Sequence, residues 1–137
     1  MAFVVDASIV GCWCFPDEAD ALADLAFQRL HAEGAFAPAL WWFDVRNLVV
    51  IAERRGRLEP TGAAEFLADL EDLPIRIDRE PHGETILALA RAHRLTVYDA
   101  AYLDLARRLD APLATLDRAL AAAARAASVS LLGDKDA

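Results

Sequence analysis

Lysine, cysteine, methionine and histidine are all scarce: the 137 residues include one lysine (Lys135), two cysteines, one methionine and three histidines. Each scarcity closes off some chemistry. Cys12 and Cys14 are too few and too close for a disulfide framework or a tetrahedral metal site, and at i, i+2 they point to different sides of a helix. Two buried, reduced thiols are expected. His31, His82 and His93 show no ligand-like pairing and read as surface or packing residues. No apolar run reaches the roughly 18 residues of a membrane span, and no basic stretch followed by a hydrophobic core opens the chain. A soluble, cytoplasmic protein with no membrane partner is expected. Positive charge is short as well: 14 Lys and Arg against 22 Asp and Glu leave a net charge of −8, which argues against general electrostatic binding to nucleic acid. Any such partner must be held locally.

What the chain has in quantity is apolar sequence, 56% of its residues, with charges interspersed along its length. That composition folds to a globule rather than staying disordered, and the length suits a single domain. We read residues 1–132 as that domain and 133–137 as a short C-terminal tail. Apolar periodicity predicts strands at residues 2–6, 35–37, 74–77 (as an edge strand), 111–115 and 129–132. Proline starts and glycine stops predict helices over 16–31, 40–55, 60–72 and 81–93, and helical patterns continue over 97–109 and 117–127. Strands alternating with helices predict an α/β fold, a three-layer α/β/α sandwich around a mainly parallel sheet with right-handed crossovers. Trp41, Trp42 and Phe43 are consecutive, so one helix face cannot bury all three, and at least one is a candidate for a protein interface.

Four aspartates stand out against this background. Asp6, Asp99 and Asp117 fall where strands end or helices begin, and each has an ordinary explanation as a helix N-cap, worth ~1 kcal/mol. Asp44 has no such explanation. It lies inside a helix between Phe43 and Val45, where aspartate is a poor helix former and its charge is costly to desolvate. Asn47 follows one turn later on the same face, and the two form one wall of a candidate site. Acids at strand ends of a parallel sheet can converge in the crevice at its carboxyl edge. Four carboxylates together repel one another, and a hard divalent cation relieves that strain. Oxygen-only donors select Mg²⁺ or Mn²⁺ over zinc, and carboxylate-held metal suits phosphate chemistry.

These segments, taken in order, carry a resemblance. Val-Val-Asp-Ala-Ser in the first strand, Pro-Ala-Leu-Trp followed by an acid, Val, Arg and Asn, then Arg-Arg-Gly-Arg-Leu, Tyr-Asp-Ala-Ala-Tyr-Leu-Asp-Leu-Ala and Ala-Thr-Leu-Asp-Arg-Ala-Leu together span nearly the whole chain. The sequence resembles the PIN-domain ribonucleases, most of all the VapC-type toxins of bacterial toxin–antitoxin pairs. The resemblance implies a PIN-like fold and endonucleolytic cleavage of RNA by metal-activated water. It implies that Asp6, Asp99 and Asp117, with the acid at position 44, hold Mg²⁺ or Mn²⁺, and that Ser8, Asn47 and Thr115 are the polar groups around them. It further implies a homodimer and a small VapB-like antitoxin whose C-terminal segment covers the acidic site.

One departure matters. The family usually carries glutamate where this chain has Asp44, so the carboxylate is one methylene short, and catalytic geometry tolerates small displacements poorly. The alternative to an active nuclease is therefore a catalytically weakened PIN domain acting mainly as a protein- or RNA-binding module. For RNA contact, Arg46 beside the candidate site and the group Arg54, Arg55 and Arg57 offer bidentate phosphate binding, unless nearby acids such as Glu53 and Glu59 engage them. Two other aspartate-dependent classes fit less well. A phospho-receiver needs a lysine near the last strands, and Lys135 is in the tail; a haloacid-dehalogenase-like phosphatase needs a second aspartate where this chain has Ser8.

Overall fold

The computed structural model describes residues 1–134; the end of the tail, with Lys135, lies outside them. Phe3–Val5 forms β1, and Ala35–Pro38, Ile75–Asp78 and Leu113–Ala114 form β2, β3 and β4. They make one sheet in the order β3-β2-β1-β4 with every pairing parallel. Parallel neighbours need crossovers, and helices supply them. The helices are α1 (Ala7–Cys14), α2 (Ala21–Glu33), α3 (Leu40–Arg54), α4 (Pro60–Glu71), α5 (Gly83–His93), α6 (Val97–Leu109) and α7 (Arg118–Ala126). The result is an α/β fold of the three-layer kind.

The central strand is the most apolar. Phe3, Val4 and Val5 are all fully buried, as a strand covered on both faces must be, and each such side chain stabilises the fold by about 1.5–3 kcal/mol. β3 is an edge strand with only partial burial, as its alternating pattern predicts. Helix α6 is the opposite case: Ala100 to Ala106 are buried without a break, and the helix packs on β1, β2 and β4. Its buried run includes one charge, Asp104, which accepts from Arg108 Nε at 2.9 Å. Arg108 also donates to Asp78 at the end of β3 at 2.7 Å. That pair of ionic bonds ties α6 to the edge strand.

The structure differs from the sequence reading at α1, at the start of α2, in the tail and at the cysteines. Residues 7–14, for which no element is predicted, form helix α1. The helix expected over 16–31 begins later: Pro16–Glu18 is an isolated 3-10 turn, and α2 starts after Asp20, whose carboxylate caps it by accepting from the Leu22 amide. Proline and two acids imitate a first turn, but the side chain that captures an orphan amide is four residues downstream. The strand expected over 129–132 shrinks to one bridge between Leu131 and Leu113. The cysteines also differ from expectation in part: both are free but only half buried.

Two glycines set close approaches. In α1, a Cβ on buried Gly11 would lie 3.2 Å from Leu48 Cδ1, so its absence lets α1 and α3 pack tightly and brings their site-bearing turns together. At the end of α2, Gly34 has a φ of +76° and turns the chain into β2.

Candidate active site

The parallel pairing of β1 with β4 builds the first part of the site. Val5 is in register with Ala114, so the next residues, Asp6 and Thr115, emerge side by side at the carboxyl edge. Thr115 Oγ1 donates to Asp6 Oδ2 at 2.7 Å, and Ser8 Oγ donates to the same oxygen at 2.8 Å. Thr115 in turn accepts from the Asp117 amide at 3.0 Å, and Ser8 accepts from the Leu116 amide at 2.9 Å. Two short turns are thus laced together around one carboxylate. Both hydroxyls fall on Oδ2, so Oδ1 receives neither.

Asp6, Asp99 and Asp117 differ in how far they cap helices. Asp6 stands at the N-cap position of α1, but its carboxylate makes no capping bond. Asp99 is not a cap: Thr96 is, accepting from the Asp99 amide, and Asp99 lies in the first turn of α6. Asp117 does cap α7, through a bond from the Leu120 amide to Oδ1. Two of the three acids are therefore left without a purely local role.

The four acids share an electrostatic field. Burial raises the Asp6 pKa, bonds from Thr115, Ser8 and the Ala7 amide oppose that rise, and the Asp117 charge adds to it. Asp99 is raised by burial first and then by the charges of Asp117, Asp6 and Asp44, with only Thr96 acting against them. A carboxylate that feels three others is the electrostatic signature of convergence. The convergence is loose, however. Among the described residues, no three His, Cys, Asp or Glu side chains are grouped closely enough to hold an ion as they stand. The donors are nonetheless all carboxylate and hydroxyl oxygens, the set a hard divalent cation prefers, and the repulsion centred on Asp99 is what such an ion would remove.

Asp44 is half-buried on α3, within a groove of about 500 Å³ also lined by Ser8, Gly11, Asn47, Ile51 and Leu116. Asn47 shares that groove, but the hydrogen bond on Asp44 comes from elsewhere: Tyr102 Oη donates to Asp44 Oδ2 at 2.9 Å. Sequence reasoning did not single out Tyr102. Its signal was its place three residues after Asp99, on the same face of α6. Burial, the charges of Asp6 and Asp44 and the bond to Asp44 push its phenol far above the ordinary range, so it remains a donor.

Arg46 is not brought to the acids. Its guanidinium stacks 3.8 Å from the Trp42 ring centroid, donates to the Trp42 carbonyl and pairs with Glu71 at 3.2 Å. Arg57 is engaged with Asp17 and Glu18 and lies over the Phe15 ring, also lining the groove. Arg54 and Arg55 are exposed, and Arg55 lines the groove. Of the consecutive aromatics, Trp41 is buried, whereas Trp42 and Phe43 are 47% and 70% exposed. None of the described helices is long and apolar enough to cross a membrane.

The parallel β3-β2-β1-β4 sheet thus carries Asp6 and Thr115 side by side at its carboxyl edge. The PIN-domain family model matches residues 3–126, and the chain belongs to that family. Over 127 residues it is 35% identical to Ribonuclease VapC3 of Pyrobaculum aerophilum, a match covering 88% of this chain and 93% of that protein. It also shares its fold with PAE2754 from Pyrobaculum aerophilum, known from a crystal structure. The TM-score is 0.71 at 24% identity, over 90% of this chain and 86% of that one.

Proposed function

We propose that this chain is a divalent-metal-dependent endoribonuclease and the toxin of a toxin–antitoxin pair. The observation that carries the proposal is the Asp6 carboxylate: buried, fixed by Ser8 and Thr115, and repelled by Asp117 within a field that also includes Asp99 and Asp44. An acid held in this strained setting, where asparagine would relieve the repulsion, is what a cation-binding role requires. Asp6, Asp99 and Asp117, with Asp44, are the residues that would hold Mg²⁺ or Mn²⁺. When bound, such an ion polarises a phosphate oxygen and supplies a nucleophilic water.

The chain's own residues have separable tasks. Ser8 and Thr115 fix the rotamer of Asp6, Asp117 keeps its turn by capping α7, and Asn47 offers an amide to a ligand in the groove. RNA approaches an acidic surface, so its phosphates need local cations, and Arg55, exposed on the groove and in no ion pair among the described residues, is the best placed. The name of the relative Ribonuclease VapC3 supports the nuclease and toxin reading. Exposed Trp42 and Phe43 suit the expected homodimer or a small VapB-like antitoxin.

The test is cleavage of a mixed cellular RNA pool by the purified chain with Mg²⁺ or Mn²⁺ against EDTA. Asp6→Asn is the control for contaminating nuclease. Metal-dependent cutting that disappears in the variant is the expected result; cutting retained by Asp6→Asn would remove this residue from the site.

A second reading, a catalytically weakened PIN domain that mainly binds RNA or protein, is favoured by one feature. The side chain at position 44 is short, and one of its two oxygens already accepts from Tyr102. Asp44→Glu separates the readings. A rise in metal-dependent cleavage would identify the short side chain as limiting, and unchanged cleavage would show that it is not.

A further inference from the structure

We propose that Tyr102 is a positioning residue that holds the short Asp44 side chain in the site; the inference rests on the metal-dependent reading above. Tyr102 is only 1% exposed, in the unbroken buried run of α6. A phenol taken that far from water needs a hydrogen-bond partner. Its hydroxyl donates to a carboxylate 58 residues earlier, on α3, at 2.9 Å. A bond to an ionised acceptor is among the stronger kinds, and here it joins the two helices that carry Asp99 and Asp44.

The geometry assigns this contact more than satisfaction of a buried hydroxyl. Asp99 and Tyr102 are three residues apart, so one face of α6 presents an acid and, a turn later, the phenol that grips a second acid. The same phenol stands beside the Ala7 amide and within the field of Asp6. Its oxygen therefore lies among the elements that bear three of the four acids. Asp44 is half-exposed, and water could solvate it without help. What water cannot do is fix its orientation. With Tyr102 bound to Oδ2, Oδ1 is the oxygen left to face a ligand, with no hydrogen bond to it among the described residues. A side chain one methylene short of glutamate gains most from such a fixed starting position, because less of its reach is lost to alternative rotamers.

The experiment is Mn²⁺ binding by titration calorimetry to the full chain and to Tyr102→Phe, Asp44→Ala and the double variant, with thermal melts as a check on folding. Phenylalanine keeps the buried ring, so the melt is expected to move little. Loss of a group that orients a ligand costs roughly tenfold or more in metal affinity, and a drop of that size is expected for Tyr102→Phe. In the Asp44→Ala background the same change is expected to have no further effect, because its action runs through Asp44. Native-like Mn²⁺ binding by Tyr102→Phe, or an equal loss with and without Asp44, would overturn the positioning role alone. Absence of Mn²⁺ binding by the unaltered chain would overturn the metal reading and this inference with it.

Discussion

Thr115 and Asp6 lie 109 residues apart in sequence and 2.7 Å apart in space, joined by a hydrogen bond from a hydroxyl to a buried carboxylate. The contact follows from strand register, since each residue directly follows a paired position of β4 or β1. It is also a relay: the threonine oxygen that donates to Asp6 accepts from the Asp117 amide. One side chain therefore sets two of the four acids.

Thr115→Val keeps the shape and removes both bonds. Leaving buried polar partners unmet costs about 1–3 kcal/mol, and urea unfolding is expected to show a loss of that order. Metal-dependent cleavage should fall more steeply than stability, because Asp6 and Asp117 lose their common anchor. Thr115→Ser, which keeps the hydroxyl, should recover most of both. A serine variant no better than valine would mean that the methyl contact, not the relay, is what matters.

The raised Asp99 pKa gives a pH dependence with a definite sign. Burial and the charges of Asp117, Asp6 and Asp44 lift it above its ordinary value of 3.8. The folded state then binds the proton more tightly than the unfolded state, so stability falls as pH rises between the unfolded and folded values. Below that window the carboxyl is protonated in both states and carries no penalty; above it the penalty is complete. In metal-free urea titrations, the advantage of Asp99→Asn over the unaltered chain is expected to be smallest below pH 3.8 and to grow as pH rises. An advantage independent of pH would show that burial and the neighbouring acids do not raise Asp99.

Arg108 should matter for stability rather than chemistry. Arg108→Met would leave Asp104, fully buried and with Oδ1 already lacking a partner, as a lone charge in the core. Breaking a buried pair from one side costs about 3–5 kcal/mol. Replacing both, Asp104→Leu with Arg108→Met, should be milder than the single change. Denaturation midpoints that rank the double variant below the single one would contradict this account.

Much of the fold is legible because period and punctuation agree. β1 is an apolar run before an acid, α6 matches its expected bounds, and β3 alternates as an edge strand does. Helix α1 is hidden for a specific reason. Asp6 reads as an N-cap, but the eight residues that follow it are too short and too uniformly small or apolar to show a helical period. The tail strand fails because only Leu131 has a bridge partner.

At the site, the acids announce themselves as charges in apolar surroundings, whereas Tyr102 looks like one more core aromatic until its hydroxyl is seen to reach α3. Arg46 shows the reverse problem. Proximity in sequence to Asp44 suggested a shared task, and the helix turns its guanidinium to Trp42 and Glu71.

The pairing of β1 with β4 also has a bearing on synthesis. A ribosome that has reached Leu109 has already made Asp6, Asp44 and Asp99 and the β2 neighbour of β1, but not β4 on its other side, nor Thr115 and Asp117. A stalled or prematurely terminated product therefore carries most of the acids without the frame that gathers them. The order of translation thus leaves the Thr115 link between Asp6 and Asp117 to the last strand–helix unit made.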